Sequence, residues 1–329
     1  MALPPFDEAP EFRYNVIPDA VMLNSNLVSL DIASDEASVQ VVSAPPLHRV
    51  AFESEMKLVD RRCGDWEDGW IIPAVSEERN GMIRVRLRGE YPRNCLASTA
   101  INVIDRAVYA DRLFRALWTK LGGRFRGAVR DGETPAEARL LAEHQSRTLT
   151  DVARDINKRS DNPITRMLYL ALGAQSLPAP ETTFERADRE VRAWLERRGI
   201  DPVGIVIENG SGLSRLERIR PSQMVRVLRA AWASEWAPEF ISSLPIAGVD
   251  GTMRRRPIDG AFLGSVRVKT GTLRDVSAVA GYVRNAAGEQ LAVSAVIHHP
   301  KASPKVARPL LDLLLREVWR ATAPSAGST

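Results

Sequence analysis

Residues 265–272 read SVRVKTGT, a strand that ends in Lys269-Thr270-Gly271. SAVAGYV (277–283) and LAVSAVIHH (291–299) read as two further strands, joined by the turn RNAAGE at 284–289. A helical pattern over 305–320 would cover that sheet. Upstream, helical periodicity runs over 136–160, 163–173, 184–198 and 221–235, and Gly204-Ile205-Val206-Ile207 reads as a strand entering the loop ENGSGLSR (208–215). Helices layered on an antiparallel sheet define an α/β-type (α+β) arrangement.

The second informative stretch is KRSDNPIT, residues 158–165. Ser160-Asp161-Asn162 alone is turn chemistry, since all three side chains bond nearby backbone. Pro163 suits a first helical position, so the triplet sits between two helices. A lone KTG is equally ordinary, a strand turning into a loop. The order SDN, then KTG 109 residues later (269 − 160), is less ordinary. With S-x-x-K, this pair is the signature of penicillin-binding proteins and class A β-lactamases.

The residue types fit acyl transfer, which needs a base for the nucleophile's proton and an acid for the leaving amine. Ser160 can relay a proton, and the Asn162 amide can bond a peptide backbone. Lys269 favours an anionic carboxylate, and Thr270 and Thr272 can donate hydroxyl bonds to it. Gly271 lets a substrate strand approach the sheet edge closely.

The front of the chain has a different texture. Val21-Met22-Leu23, Leu27 to Ile32 and Ser38 to Val42 alternate or cluster apolar residues as strands do. MIRVRLR (82–88) alternates strictly, placing Ile83, Val85 and Leu87 on one face of an antiparallel strand. Ile101 to Leu121 has helical spacing, stopped by Gly122-Gly123, and a short strand and turn follow in FRGAVRDGETP (125–135). The expected division is a β-rich part at 1–135 and a helix-and-sheet part at 136–329. TAPSAGST (322–329) reads as disordered.

At 329 residues and 44% hydrophobic content, the chain has enough apolar residues for a sizeable core, with about two domains as a prior. Charged residues make up 26% and the net charge is +4, an excess that favours anionic surfaces but clusters only at Arg254-Arg255-Arg256. No zinc-finger, RNP or basic heptad pattern occurs, so a nucleic-acid partner is disfavoured. No apolar run approaches the roughly 20 residues that span a bilayer. MALPPFDEAPEF lacks the basic and apolar regions of an export signal. The four histidines show no metal-ligand spacing; His298-His299 sit at a strand end. Cys63 and Cys95 read either as two unrelated thiols or as a disulfide closing a loop of 95 − 63 = 32 residues.

On these strings the sequence resembles the low-molecular-mass penicillin-binding proteins of the D-alanyl-D-alanine carboxypeptidase/endopeptidase type (class C, peptidase family S13). FRYNVIPDAVMLNSNLVSLDI, CGDWEDGW with YPRNC, INKRSDNPITRMLYLALG, ENGSGLSR, LPIAGVDGTMRRR and VRVKTGTLRDVSAVAGYV extend the resemblance over nearly the whole chain. It implies a transpeptidase-like domain with a β-rich inserted domain. Ser160 and Asn162 would be the second motif, and Lys269, Thr270 and Gly271 the third. It further implies a periplasmic enzyme acting on peptidoglycan stem peptides without metal or cofactor, with β-lactams as covalent ligands where a nucleophile is present.

In that family the nucleophilic serine lies on S-x-x-K, ahead of a long insertion, and this chain resembles the family from about the middle of the insertion. The expectation is that the nucleophile lies outside the chain, leaving an apolar groove and a less stable protein. A candidate within it is Ser54-Glu55-Met56-Lys57, in AFESEMKLVD. Its short, mixed surroundings favour a solvated surface over a helix-borne nucleophile. Gly210-Ser211-Gly212 lacks the G-x-S-x-G pattern of a hydrolase elbow. Asp250 and Arg254 to Arg256 read equally as cleft border or charged turn. The rival readings are a peptidoglycan-binding protein without turnover, a compact β-lactamase or esterase using Ser54 and Lys57, and a basic nucleic-acid or envelope-adhesion module.

Overall fold

The computed structural model describes residues 6–129, 132–175, 180–256 and 260–321. The chain divides into two compact units, Met1–Glu143 and His144–Thr329. The TAPSAGST tail lies outside the described residues.

Among the described residues, the first unit has seven strands. β1 (Val28–Ser34) pairs antiparallel with β2 (Val39–Ala44) and with β7 (Leu96–Ile101). A second sheet has β6 (Ile83–Pro92) at its centre, with β3 (Val50–Ser54) and β4 (Lys57–Val59) parallel to it and β5 (Trp70–Glu77) antiparallel. The strict alternation of 83–87 does bury Ile83, Val85 and Leu87, but the strand has parallel neighbours along 83–87 and 90–92 besides the antiparallel one. Alternation reports which face is buried, not the direction of the partner.

Val28, Leu30 and Ile32 share one apolar cluster with Val85, Leu87 and Tyr91. The Tyr91 hydroxyl donates to the Ile32 carbonyl at 2.8 Å, so its polar tip is satisfied inside that cluster. Cys63 and Cys95 form a disulfide. α1 (Arg106–Lys120) starts where the Asp105 carboxylate accepts from the amides of Ala107 and Val108.

Several elements differ from the sequence expectation. Val21 to Leu23 is not a strand, because Asn24, Ser25 and Asn26 turn the chain through left-handed conformations that asparagine tolerates. Ile101 ends β7 rather than opening a helix. Residues 125–129 form no strand, and 136–148 form no helix. Leu140 and Leu141 are largely exposed there, and a segment without a buried face lacks the packing that stabilises short helices.

The second unit begins with α2 (Leu149–Arg159), α3 (Asn162–Gln175), α4 (Thr183–Arg197), α5 (Pro221–Trp232) and α6 (Ala237–Ser243). The antiparallel sheet follows in the order β10-β9-β8, from β8 (Val266–Leu273), β9 (Val276–Arg284) and β10 (Gln290–His298). α7 (Pro304–Arg320) closes one face, packing Leu311 and Leu315 on Val266, Val268 and Val283. Tyr282 belongs to the opposite face, with Leu228 of α5, and its hydroxyl donates to the Leu228 carbonyl at 2.6 Å. Gly204 to Ile207 is not a strand: Gly204 takes a left-handed conformation, and only Val206 pairs, with Arg218. α7 also presents Val306, Leu310, Leu313 and Leu314 outward.

Two variants test this packing. Replacing Cys63 and Cys95 by alanine should destabilise the protein by roughly 3–4 kcal/mol in denaturant unfolding, the chain-entropy value for a loop of this length. A Cβ on Gly281 would sit 2.2 Å from the Arg267 carbonyl oxygen, against backbone that cannot swing away. Gly281→Ala should therefore cost about 1–3 kcal/mol or more. An unchanged unfolding midpoint would contradict the close β8–β9 approach.

Candidate active site

The SDN stretch is a turn that borders a cleft. α2 ends at Ser160, which holds a left-handed conformation (φ 57°, ψ 54°) and donates its amide to the Ile156 carbonyl. Asp161 then caps the next helix, its carboxylate accepting from the Ile164 amide at 3.0 Å, with Pro163 in the first turn. This reversal leaves the side chains of Ser160 and Asn162 bordering one cleft.

The opposite wall is β8. Val266 and Val268 point into the core under α7, so Lys269, by alternation, points the other way. Its ammonium donates to Ser160 Oγ at 2.7 Å and to the Thr270 carbonyl at 2.8 Å. The structure thus brings together residues 109 positions apart. Burial lowers the Lys269 pKa from 10.5 to about 8.

β8 is an edge strand, and only part of its edge is closed. The Val268 amide donates to the Pro245 carbonyl at 3.0 Å, and the Ala247 amide donates to the Val266 carbonyl at 3.0 Å. Alternation turns the backbone groups of Thr270 and Thr272 to this same side, into the cleft. Gly271 and Thr272 are exposed, and a Cβ on Gly271 would meet nothing closer than Ala278 at 3.8 Å. The protein's own packing therefore does not demand glycine there.

The cleft has a volume of about 1310 Å³. Beyond the motifs it is lined by Ser211, Gly212 and Leu213, and by the basic residues Arg255, Arg256 and Arg308. Arg256 is paired to both oxygens of Asp312 at 2.9 Å. The surplus of cations favours an anionic ligand. The 208–217 loop is held from behind: the Asn209 amide donates to Glu217 at 3.3 Å, and burial raises the Glu217 pKa. Arg255 and Arg256 border the cleft, whereas Asp250 lies behind it, paired with Lys158.

Ser54 and Lys57 do not form a helix-borne S-x-x-K pair. Ser54 ends β3 and Lys57 begins β4, so the S-x-x-K spacing falls across two strands and not along one helical face. Ser54 Oγ accepts from the Met56 amide at 3.2 Å, closing that turn. Among the described residues, no group of three His, Cys, Asp or Glu could hold a metal ion. Thr252 is a cleft residue that motif reasoning missed; its hydroxyl lies 3.1 Å from that of Thr270. The one signal for it was its place inside the string LPIAGVDGTMRRR.

Comparison with known proteins supplies an independent frame. The sequence profile described as "D-Ala-D-Ala carboxypeptidase 3 (S13) family" matches residues 6–318. A D-alanyl-D-alanine carboxypeptidase of an Actinomadura species is 32% identical over 276 residues, 81% of this chain and 51% of that protein. The D-alanyl-D-alanine carboxypeptidase DacB of Haemophilus influenzae is 33% identical over 186 residues, 56% of this chain and 39% of that one. This chain therefore spans about half or less of the curated relatives it matches. The crystal structure of penicillin binding protein 4 (dacB) from Haemophilus influenzae superimposes with a TM-score of 0.73 at 24% identity, covering 94% of this chain and 70% of that one. The likeness supports the fold: helices packed on an antiparallel sheet, with a second set of sheets.

The Lys269 environment predicts a pH signature. Its folded pKa, about 8, lies below its unfolded value of 10.5, so between these limits the unfolded chain binds more protons. Stability should therefore rise with pH from about 8 to about 10.5 through this group. Lys269→Met should remove that slope in unfolding measured across the window, and an identical slope in the variant would refute the desolvated amine.

Proposed function

The chain belongs to the D-Ala-D-Ala carboxypeptidase 3 (S13) family, and from that premise we propose that its second unit forms the substrate-binding and proton-relay part of a serine acyl-transfer site for peptidoglycan stem peptides. The observation that supports this most directly is the 2.7 Å contact of Lys269 with Ser160 beside the open edge of β8. A peptide ending in D-Ala-D-Ala adds to that edge as a further strand. Thr270 and Thr272 bond its terminal carboxylate, which the Lys269 charge attracts. The Asn162 amide holds the peptide backbone.

In the reaction, a serine hydroxyl attacks the carbonyl between the two D-alanines. The peptide C–N bond breaks, the acyl group stays on the serine as an ester, and D-alanine leaves after its amine takes up a proton. Ser160 stands where it can pass that proton, because the Lys269 ammonium orients its hydroxyl. Hydrolysis of the ester by water completes the cycle. A β-lactam follows the same first step, its ring amide standing in for the peptide bond. We infer a location outside the cytoplasm, in the periplasm, a reading supported by the Cys63–Cys95 disulfide, which persists in an oxidising compartment.

A second reading, binding without turnover, is favoured by one observation: Ser54 and Lys57, the S-x-x-K candidate, lie on two separate strands and not along one helical face. Two measurements separate the readings. Calorimetric titration with a diacetylated Lys-D-Ala-D-Ala tripeptide should show binding that Lys269→Met weakens by about 1.5–3 kcal/mol, the range for hydrogen bonds to a charged group. Intact mass after excess benzylpenicillin then reports acylation. An adduct retained in Ser54→Ala supports acyl transfer at this cleft. An adduct lost in that variant establishes Ser54 as a nucleophile, and binding without an adduct shows that these residues recognise the peptide without themselves acylating it. Folded protein that neither binds nor is acylated would sink both.

A further inference from the structure

Lys158 stands two residues before Ser160, and the mechanism above gives it no task. Its side chain is 16% exposed. Its ammonium donates to the Leu244 carbonyl at 2.6 Å and to the two Asp250 carboxylate oxygens at 2.9 and 2.7 Å. Asp250 Oδ1 also accepts from the Ile246 amide at 2.8 Å, which fixes the carboxylate within its own loop. One residue earlier on α2, the Asn157 amide donates to Ser243 Oγ at 2.7 Å. The last turn of α2 is therefore fastened to residues 243–250.

Those same residues are fastened to β8. Pro245 and Ala247 bond the backbone of Val268 and Val266, and Ile246 bridges Arg267. Two residues after Asp250, the Thr252 hydroxyl meets that of Thr270. Between them Gly251 adopts a left-handed φ of 56°, and a Cβ there would come within 2.9 Å of the Lys158 carbonyl oxygen. The loop thus touches the end of α2 on one side and the KTG strand on the other.

We propose that Lys158 and Asp250 are positioning residues: their ion pair clamps the SDN turn at a set distance from β8 and so holds Ser160 within hydrogen-bond reach of Lys269. The inference rests on the function proposed above, because it gives a purpose to that distance. A pair that only stabilised the fold would change the melting temperature and nothing at the cleft. A positioning pair changes the environment of Lys269, since a loosened turn admits water around its amine.

The test is NMR titration of the Lys269 side chain, with tripeptide affinity measured in parallel, on wild type, Lys158→Met, Asp250→Asn and Lys158→Arg. Asp250→Asn keeps the shape and an oxygen for the Ile246 amide, so it decides the question if Lys158→Met does not fold. Both charge-removing variants are expected to raise the Lys269 midpoint by about one on the pH scale and to weaken tripeptide binding about tenfold, while Lys158→Arg recovers most of both. Folded charge-removing variants with an unchanged Lys269 midpoint would overturn the proposal, even if they melt at lower temperature. If wild type does not bind the tripeptide, the proposed function fails, and the Lys269 midpoint still decides the role of the pair.

Discussion

The cleft depends on an ammonium held largely out of water. Burying a charge costs several kcal/mol unless it finds partners, while one intramolecular hydrogen bond contributes only about 1 kcal/mol net. Lys269 finds Ser160 Oγ and the Thr270 carbonyl. Neither partner is a carboxylate, so its proton affinity falls instead. The surrounding structure has to keep that arrangement from relaxing: β9 backs the strand, residues 245–247 seal its outer side up to Val268, and the left-handed cap of α2 holds Ser160 in place.

β8 divides its work by alternation. Val266 and Val268 anchor the strand under α7, and Lys269, on the other face, meets the helical wall. The backbone is shared in the same way between β9 on one side and, on the other, first the 245–247 segment and then the cleft. Structural and chemical duties thus fall on neighbouring residues without competing. A substitution at Val268 would act on the cleft through packing, whereas one at Lys269 would act on its charge.

What was legible in the sequence follows from how local each signal is. The three strands 266–273, 276–284 and 290–298 were readable from their own apolar runs and from the turn at 284–289, and SDN and KTG were readable as strings. Residues 136–148 were misread because apolar residues at helical spacing promise a buried face, and Leu140 and Leu141 have none. Gly204 to Ile207 was misread because four residues of strand-like composition do not supply a partner. Lys158 and Thr252 were invisible as site residues for another reason. Their roles arise from contacts across 92 and 18 positions, which no local pattern records. Lys158 lay inside a quoted motif, yet a lysine near a helix C-terminus is already explained by the helix dipole.

The closure of β8 by Pro245 to Ala247 has a consequence for what the edge can hold. A chain that pairs antiparallel to Thr270 and Thr272 advances toward Val268 with its C-terminal end leading, and there it meets backbone already bonded to the strand. For the peptide binding proposed above, the edge would then be a dead end and not a track, favouring the terminus of a chain over its middle before any side chain discriminates between one amino acid and another.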